Sequence, residues 1–270
     1  MTTIRLGAVG YLNARPLVHG LDRETRFEVR YDIPSECARL LHAREIDLGL
    51  VPSIEFLRGP RPYMLVPGPA VTSFGKVASV AIYTRRDPKD LRSIAMDSSS
   101  RTSVALAAIL LRRVFGVAPE AVSMPPDLDV MLECADAALI IGDKALFLEP
   151  EEAITKIDLG ELWTSHTGLP FVYAFWTGSS DGVTPDDVER LQQARDDGVQ
   201  HVDEIAAVHF PGDARRQQAV RCYLRDNIQY YLGDQQLEGL TRFFSYASEL
   251  GLASFDGSLR LYHAAHHGAR

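Results

Sequence analysis

The sequence has little cysteine, little tryptophan, no long apolar run and no surplus of positive charge, and each shortage removes a class of protein. Its three cysteines, Cys37, Cys134 and Cys222, are odd in number and scattered, without C-x-x-C spacing. They read as reduced thiols, not as a disulfide framework or a zinc site. The longest apolar runs, Val104–Leu111 and Ala137–Ile141, fall far short of the roughly 18 residues that span a bilayer, so no membrane segment is expected. Lys and Arg number 28 against 36 Asp and Glu, a formal net charge of -8. With no basic stripe interleaved with aromatics, nucleic acid is not an expected partner. The N-terminus carries none of the three regions of a secretory leader, and a cytoplasmic location is expected. Also missing are the G-x-S-x-G elbow, the phosphate loop with its Gly-Lys-Ser/Thr ending, the G-x-G-x-x-G fingerprint and H-E-x-x-H. His263, His266 and His267 crowd the C-terminus, where a solvated tail is a better reading than a metal site.

What is present is an ordinary globular composition, 46% hydrophobic and 24% charged over 270 residues, enough for one large domain or two modest lobes. Short apolar runs stopped by Gly or Pro, at Ile4–Val9, Val29–Ile33 and Asp47–Val51, alternate with helically spaced stretches opened by Pro16 and Pro34. Val77–Tyr83, Ile94–Met96, Ala137–Ile141 and Phe171–Thr177 continue the strand pattern. An apolar helix is expected from Arg101 to Phe115, stopped by Gly116. Thr184, Pro185 and Asp187 mark a helix start running to about Val208. Asp213 and Asp234 are expected to cap two further helices, the first closed by Gly233. The alternation predicts an α/β fold of two lobes, each a mixed sheet flanked by helices, with the ligand in the cleft between them. Lobe 1 is expected from residues 1–84 plus 177–270 and lobe 2 from 85–176, with crossing strands near 78–84 and 171–177.

Ligands in open α/β sheets gather beyond the carboxyl ends of strands, which directs attention to Gly10–Pro16, Pro52–Glu55, Asp97–Ser103 and Gly142–Asp143. The hydroxyl cluster from Ser98 to Ser103 opens the apolar helix. A helix N-terminus offers unpaired N–H groups and partial positive charge, so the cluster suits a carboxylate or phosphate, with simple N-capping as the plainer reading. In Gly10-Tyr11-Leu12-Asn13-Ala14-Arg15-Pro16, Asn13 can orient a ligand as donor and acceptor and Arg15 can meet an anion, or the pair can be a cap and a solvated cation. Ser53 can cap a short helix or face the cleft. His166 is left outside the candidate site, and Trp163, Phe171, Tyr173, Phe175 and Trp176 read as core or cleft wall.

At these residues the sequence resembles the chorismate dehydratases of the futalosine route to menaquinone, whose fold is that of a type-2 periplasmic binding protein. The resemblance rests on Gly10-Tyr11-Leu12-Asn13-Ala14-Arg15-Pro16-Leu17, on Asp47 to Glu55, on Ser100-Arg101-Thr102-Ser103, on Ile140 to Leu146 and on Thr167 to Ala174, in family order up to about Trp176. It implies loss of water from chorismate, a small dianion, to give 3-[(1-carboxyvinyl)oxy]benzoate, without a cofactor or metal. It implies Ser100, Arg101, Thr102 and Ser103 as one carboxylate site, and Ser53 and Ser79 toward the other carboxylate or the ring. Asn13 would orient the side chain or the departing hydroxyl, the substrate's own enolpyruvyl carboxylate would act as base, and Asp143 would be the fallback base. The later cyclase of the same pathway resembles the chain less, since it places a His proton acceptor where this sequence has Gly142. A cytoplasmic small-acid sensor of the same fold is the non-enzymatic alternative. Monomer and homodimer both remain open.

Overall fold

The protein is described by a computed structural model that covers residues 3–179 and 182–262; His263, His266 and His267 lie outside these residues. The first sheet is built from β1 (Ile4–Val9), β2 (Phe27–Asp32), β3 (Leu48–Pro52), β4 (Met64–Ser73), β10 (Phe171–Gly178) and β11 (Gln229–Tyr231), in the order β11-β4-β10-β3-β1-β2. The second sheet runs β7-β6-β8-β5-β9, from β5 (Val80–Thr84), β6 (Ser93–Asp97), β7 (Glu120–Met124), β8 (Ala137–Ile141) and β9 (Thr155–Asp158). In each sheet a parallel trio, β2-β1-β3 or β7-β6-β8, is continued by antiparallel strands. The central strands β3 and β8 are buried at every residue, which explains why they read as unbroken apolar runs without alternation.

Helices cover both sheets, among them the short α2 (Glu55–Arg58), α4 (Leu128–Cys134) and α5 (Gly142–Phe147). The prolines act as expected: Pro34 is the first residue of α1 (Pro34–His42), and Pro185 opens α7 (Pro185–Gln200) behind a Thr184–Asp187 capping box. The apolar helix α3 spans Thr102–Leu110, widens into a π turn over Leu111–Phe115 and ends at Gly116 with φ of 76°. Helix α7 stops at Gln200, and after a break at His201 a separate α8 (Val202–His209) follows. No helix of the described residues is long and apolar enough to cross a membrane.

Two expected boundaries move. β5 pairs with β8 and β9 in the second sheet, whereas β10 pairs with β3 and β4 in the first. Of the stretches expected near the crossings, 78–84 supplies the end of one passage at 78–79 and then β5 of the second sheet, whereas 171–177 lies within β10 of the first. The chain passes between sheets through residues 74–79 and again through α6 (Leu159–Thr167) and the short turn before Phe171. The helix begun by Asp213, α9 (Ala214–Cys222), ends in a π turn at Asn227. Gly233 does not close it; Gly233 is the N-cap of α10 (Asp234–Glu249), its N–H donating to Gln236 Oε1 at 3.1 Å. Between them lies β11, in which Tyr230 and the flanking Ile228 and Leu232 are buried and Gln229 and Tyr231 are exposed.

Candidate functional site

The carboxyl ends of β1, β3, β6 and β8 converge on one cleft between the sheets. Its wall includes Tyr11, Asn13, Pro52, Ser79, Ser100, Arg101, Thr102, Ser103, Gly142 and Tyr173. All four turns marked in the sequence thus contribute to one cavity.

The N-terminus of α3 forms one wall. No side chain caps it: the N-cap position is held by Arg101, and Ser99 before it is turned to Asp97. Buried Asp97 accepts the Ser99 N–H at 2.9 Å and the Ser99 hydroxyl at 2.6 Å through Oδ1, and the Ile141 N–H at 3.3 Å through Oδ2. Ser100 and Ser103 are buried cleft residues whose hydroxyls have no hydrogen-bond partner among the described residues. First-turn N–H groups, two unengaged hydroxyls and the helix dipole therefore face the same space, a set of donors suited to a carboxylate. Arg101 stands exposed at the rim with no ion-pair partner among the described residues.

The hydroxyl of Thr102 is committed differently. It accepts the Ile54 N–H at 3.2 Å and lies 3.3 Å from Ser53 Oγ, while Ser53 donates to the Val172 carbonyl at 2.8 Å. Ser53 is fully buried and is not part of the cleft wall. Together Ser53 and Thr102 tie the two lobes below the cleft, leaving the backbone of Thr102 on the site and Ser53 behind it.

Ser79 faces the cleft because the residue before it is bent into a left-handed conformation, with Ala78 at φ of 66°. A non-glycine residue holds that shape only when its surroundings enforce it. Here the Ala78 N–H donates to Asp158 Oδ2 at 2.7 Å and the Ala78 carbonyl accepts from Lys156 Nζ at 3.1 Å. Burial pushes the Lys156 ammonium pKa below its ordinary value, against the pull of Asp158. Asp158 also accepts the N–H groups of Val77, Gly160 and Glu161, capping α6. Ser79 Oγ in turn accepts the Tyr223 hydroxyl at 2.7 Å, and its carbonyl accepts the Gly142 N–H at 2.8 Å. Tyr223 is buried, which raises its pKa, while hydrogen bonding with Ser79 and Asn13 acts the other way.

Asp143, like Ser53, stands apart from the cleft wall. Its carboxylate accepts the Leu12 N–H at 3.1 Å across the lobes. Burial raises its pKa; the Leu12 N–H, His209 and Arg15 partly oppose that. Arg15 donates to the Gly10 carbonyl at 3.0 Å and lies over the Tyr31 ring, away from the cleft. His166 is exposed. Trp163, Phe171, Phe175 and Trp176 are core, and Tyr173 lines the cleft with its hydroxyl 3.1 Å from Ser73 Oγ. No cluster of three or more His, Cys, Asp or Glu able to hold a metal occurs among the described residues. Cys37, Cys134 and Cys222 are free thiols, and burial pushes Cys37 up to about 12.

Sequence reasoning missed Tyr11, Tyr223, Asp97, Asp158 and Lys156 as parts of the site. Tyr11 and Asp97 lay inside marked turns, but the others come from distant segments with no local signature.

Residues 4–249 match a family described as menaquinone biosynthesis. A curated chorismate dehydratase of Thermus thermophilus is 32% identical over 267 residues, which cover 92% of this chain and 95% of that protein. A solved protein of Archaeoglobus fulgidus superposes with a TM-score of 0.73 at 15% identity, over 93% of this chain and 98% of the other. A Candida albicans protein described as having the generic periplasmic binding protein fold superposes with a TM-score of 0.67 at 13% identity, over 98% of this chain and 99% of the other. These likenesses establish the two-lobed binding-protein fold.

Proposed function

The chain belongs to the menaquinone-biosynthesis family, and from that premise we propose that it is a chorismate dehydratase, a hydro-lyase that converts chorismate to 3-[(1-carboxyvinyl)oxy]benzoate. The observation that carries this reading is the uncapped N-terminus of α3, where Ser100 and Ser103 add hydroxyls without partners among the described residues to first-turn N–H groups on the cleft wall. The ring carboxylate of chorismate belongs there. Removing the C3 proton leaves an electron pair that delocalises through the ring alkene onto that carboxylate. Fixed donors around it stabilise the charge as it develops. Loss of the C4 hydroxyl then completes an aromatic ring.

The cleft supplies donors and orientation, and the substrate supplies the base. The enolpyruvyl carboxylate, bound to the same carbon through its ether oxygen, takes the C3 proton. The C3–H electron pair becomes the new ring double bond, the C4–O pair leaves with the hydroxyl, and that proton returns to it as water departs. Asp143 is a weak candidate for the base because its oxygens hold the Leu12 N–H outside the cleft. Asn13, on the cleft wall beside Ser79, orients the enolpyruvyl side chain or the departing hydroxyl. Arg101 at the rim attracts the dianion.

The test is incubation of the purified protein with chorismate, followed by mass detection of products, with Asn13→Ala as control. A product lighter by one water, formed by wild type and reduced at least a hundredfold in the variant, supports the proposal. Chorismate bound but recovered unchanged points to a sensor of the same fold.

A further inference from the structure

Nearly every polar group on the cleft wall can donate a hydrogen bond, and chorismate as a dianion is nearly all acceptor: two carboxylates and an ether oxygen. Its one donor is the C4 hydroxyl, the group that leaves. Tyr11 is the cleft residue whose polarity fits it. The Ser99 hydroxyl spends its single proton on Asp97 Oδ1 at 2.6 Å, a carboxylate that only accepts. Tyr11 Oη lies 3.0 Å from the same Ser99 oxygen, so the Tyr11 proton must point at Ser99. The lone pairs of Oη are then left toward the cleft that Tyr11 lines. Burial raises the Tyr11 pKa, in keeping with a neutral phenol.

The ring is positioned by Gly142. Its φ is 67°, and a Cβ built on it would lie 2.8 to 3.0 Å from three Tyr11 ring atoms. The turn after β8 thus takes a shape that leaves room for this side chain, while the neighbouring Ile141 N–H steadies Asp97.

We propose that Tyr11 Oη accepts a hydrogen bond from the C4 hydroxyl of the substrate, its polarity set by the Tyr11-Ser99-Asp97 chain, so that the hydroxyl's own lone pairs turn toward the enolpyruvyl carboxylic acid that protonates it. The inference rests on the chorismate reading. It makes Tyr11 a residue that selects for the intact C4 hydroxyl and aligns it for departure.

The product lacks that hydroxyl, which separates this role from general packing. In Tyr11→Phe, kcat/KM for chorismate should fall about five- to tenfold or more, the scale of one lost hydrogen bond, while the inhibition constant of the product stays within about twofold of wild type. Ser99→Ala, which frees the Tyr11 proton to turn, should show the same pattern more weakly. A parallel loss of chorismate turnover and product affinity in Tyr11→Phe, or no change in either, overturns the assignment. Wild-type protein that leaves chorismate unconsumed overturns the dehydratase reading, and this assignment with it.

Discussion

Replacing Asp158 by Asn should damage the site more than the fold. The carboxylate holds four N–H groups: Oδ1 accepts from Val77 at 3.0 Å, Gly160 at 3.0 Å and Glu161 at 3.0 Å, and Oδ2 accepts from Ala78 at 2.7 Å. An Asn side chain turns its single oxygen toward the three donors, because the reverse orientation would lose three bonds to keep one. Its amide nitrogen then meets the Ala78 N–H, donor against donor. Leaving one such group unpaired costs about 1–3 kcal/mol, or a fall in Tm of roughly 3–10 °C at this chain length. The loss falls on Ala78, whose left-handed backbone costs a further ~1–2 kcal/mol wherever it is not enforced. With its N–H released, Ala78 relaxes while Val77 stays held, and Ser79 leaves its place between the Tyr223 hydroxyl and the Gly142 N–H. Turnover of chorismate should drop at least tenfold while the far-ultraviolet dichroism stays native. Asp158→Ala, which also removes the cap of α6 and the acceptor for Val77, should cost about 3–6 kcal/mol in all and serves as the folding control. Asp158→Asn with the expected fall in Tm but wild-type kcat would refute the link from Asp158 through Ala78 to the site.

Asp143→Asn should keep turnover within a few-fold, since Asn still offers an oxygen to the Leu12 N–H; a loss beyond a hundredfold would return Asp143 to the role of base. Its pH dependence has a definite sign: burial raises the native pKa above the ordinary 3.8, so the native state binds the proton more tightly than the unfolded chain. Wild-type stability therefore falls as pH rises from about 3.8 through the native value, and urea unfolding should show the variant gaining on wild type across that window and levelling above it. Gly142→Ala should lose both Tm and activity, because φ of 67° is unfavourable for Ala and the added Cβ displaces the Tyr11 ring; unchanged kinetics would count against Tyr11 as a site residue. Ser100→Ala with Ser103→Ala should leave Tm within about 2 °C, as neither hydroxyl has a partner among the described residues, yet reduce kcat by about tenfold or more. A change in Tm without a change in kcat would mean that the hydroxyls serve the fold.

The layout of the site was legible in the sequence because strand ends carry local punctuation. Gly10, Pro52, Asp97 and Gly142 each stop an apolar run, and each begins a stretch that reaches the cleft. The sequence pattern failed where non-local pairing overrode it. β4 contains Pro67, Gly68 and Pro69 and does not look like a central strand, yet it lies between β10 and β11. The irregularity is absorbed by a register shift in which Phe175 opposes Ala70 and Thr177 opposes Leu65, so the prolines fall in a bulge where a missing N–H is tolerated. β11 did carry a signal, the alternation of Ile228, Tyr230 and Leu232 with polar or exposed neighbours, but only three residues pair and a helix preceded them. Ser53 illustrates a different limit. Its place after β3 predicted a cleft residue, and only the three-dimensional arrangement shows its proton going to Val172 and its oxygen meeting Thr102.

The binding-protein scaffold and the dehydratase reaction make nearly the same demand of a cleft, which explains how one fold can serve both. A receptor for a small anion needs donors at helix N-termini and lobes that meet around the ligand. A reaction in which the substrate carries its own base, and aromatisation supplies the driving force, adds little to that list. What it adds is control over where charge develops and which way the leaving group points. On the proposed reading the first falls to the donor-rich α3 terminus. The second needs an acceptor among donors, and a lone tyrosine could supply one only if its proton were tied down. Asp97 does this at one remove through Ser99, inside the lobe opposite Tyr11, so the acceptor is set when the lobes are together. On this proposal the polarity that orients the C4 hydroxyl belongs to both lobes and not to Tyr11 alone.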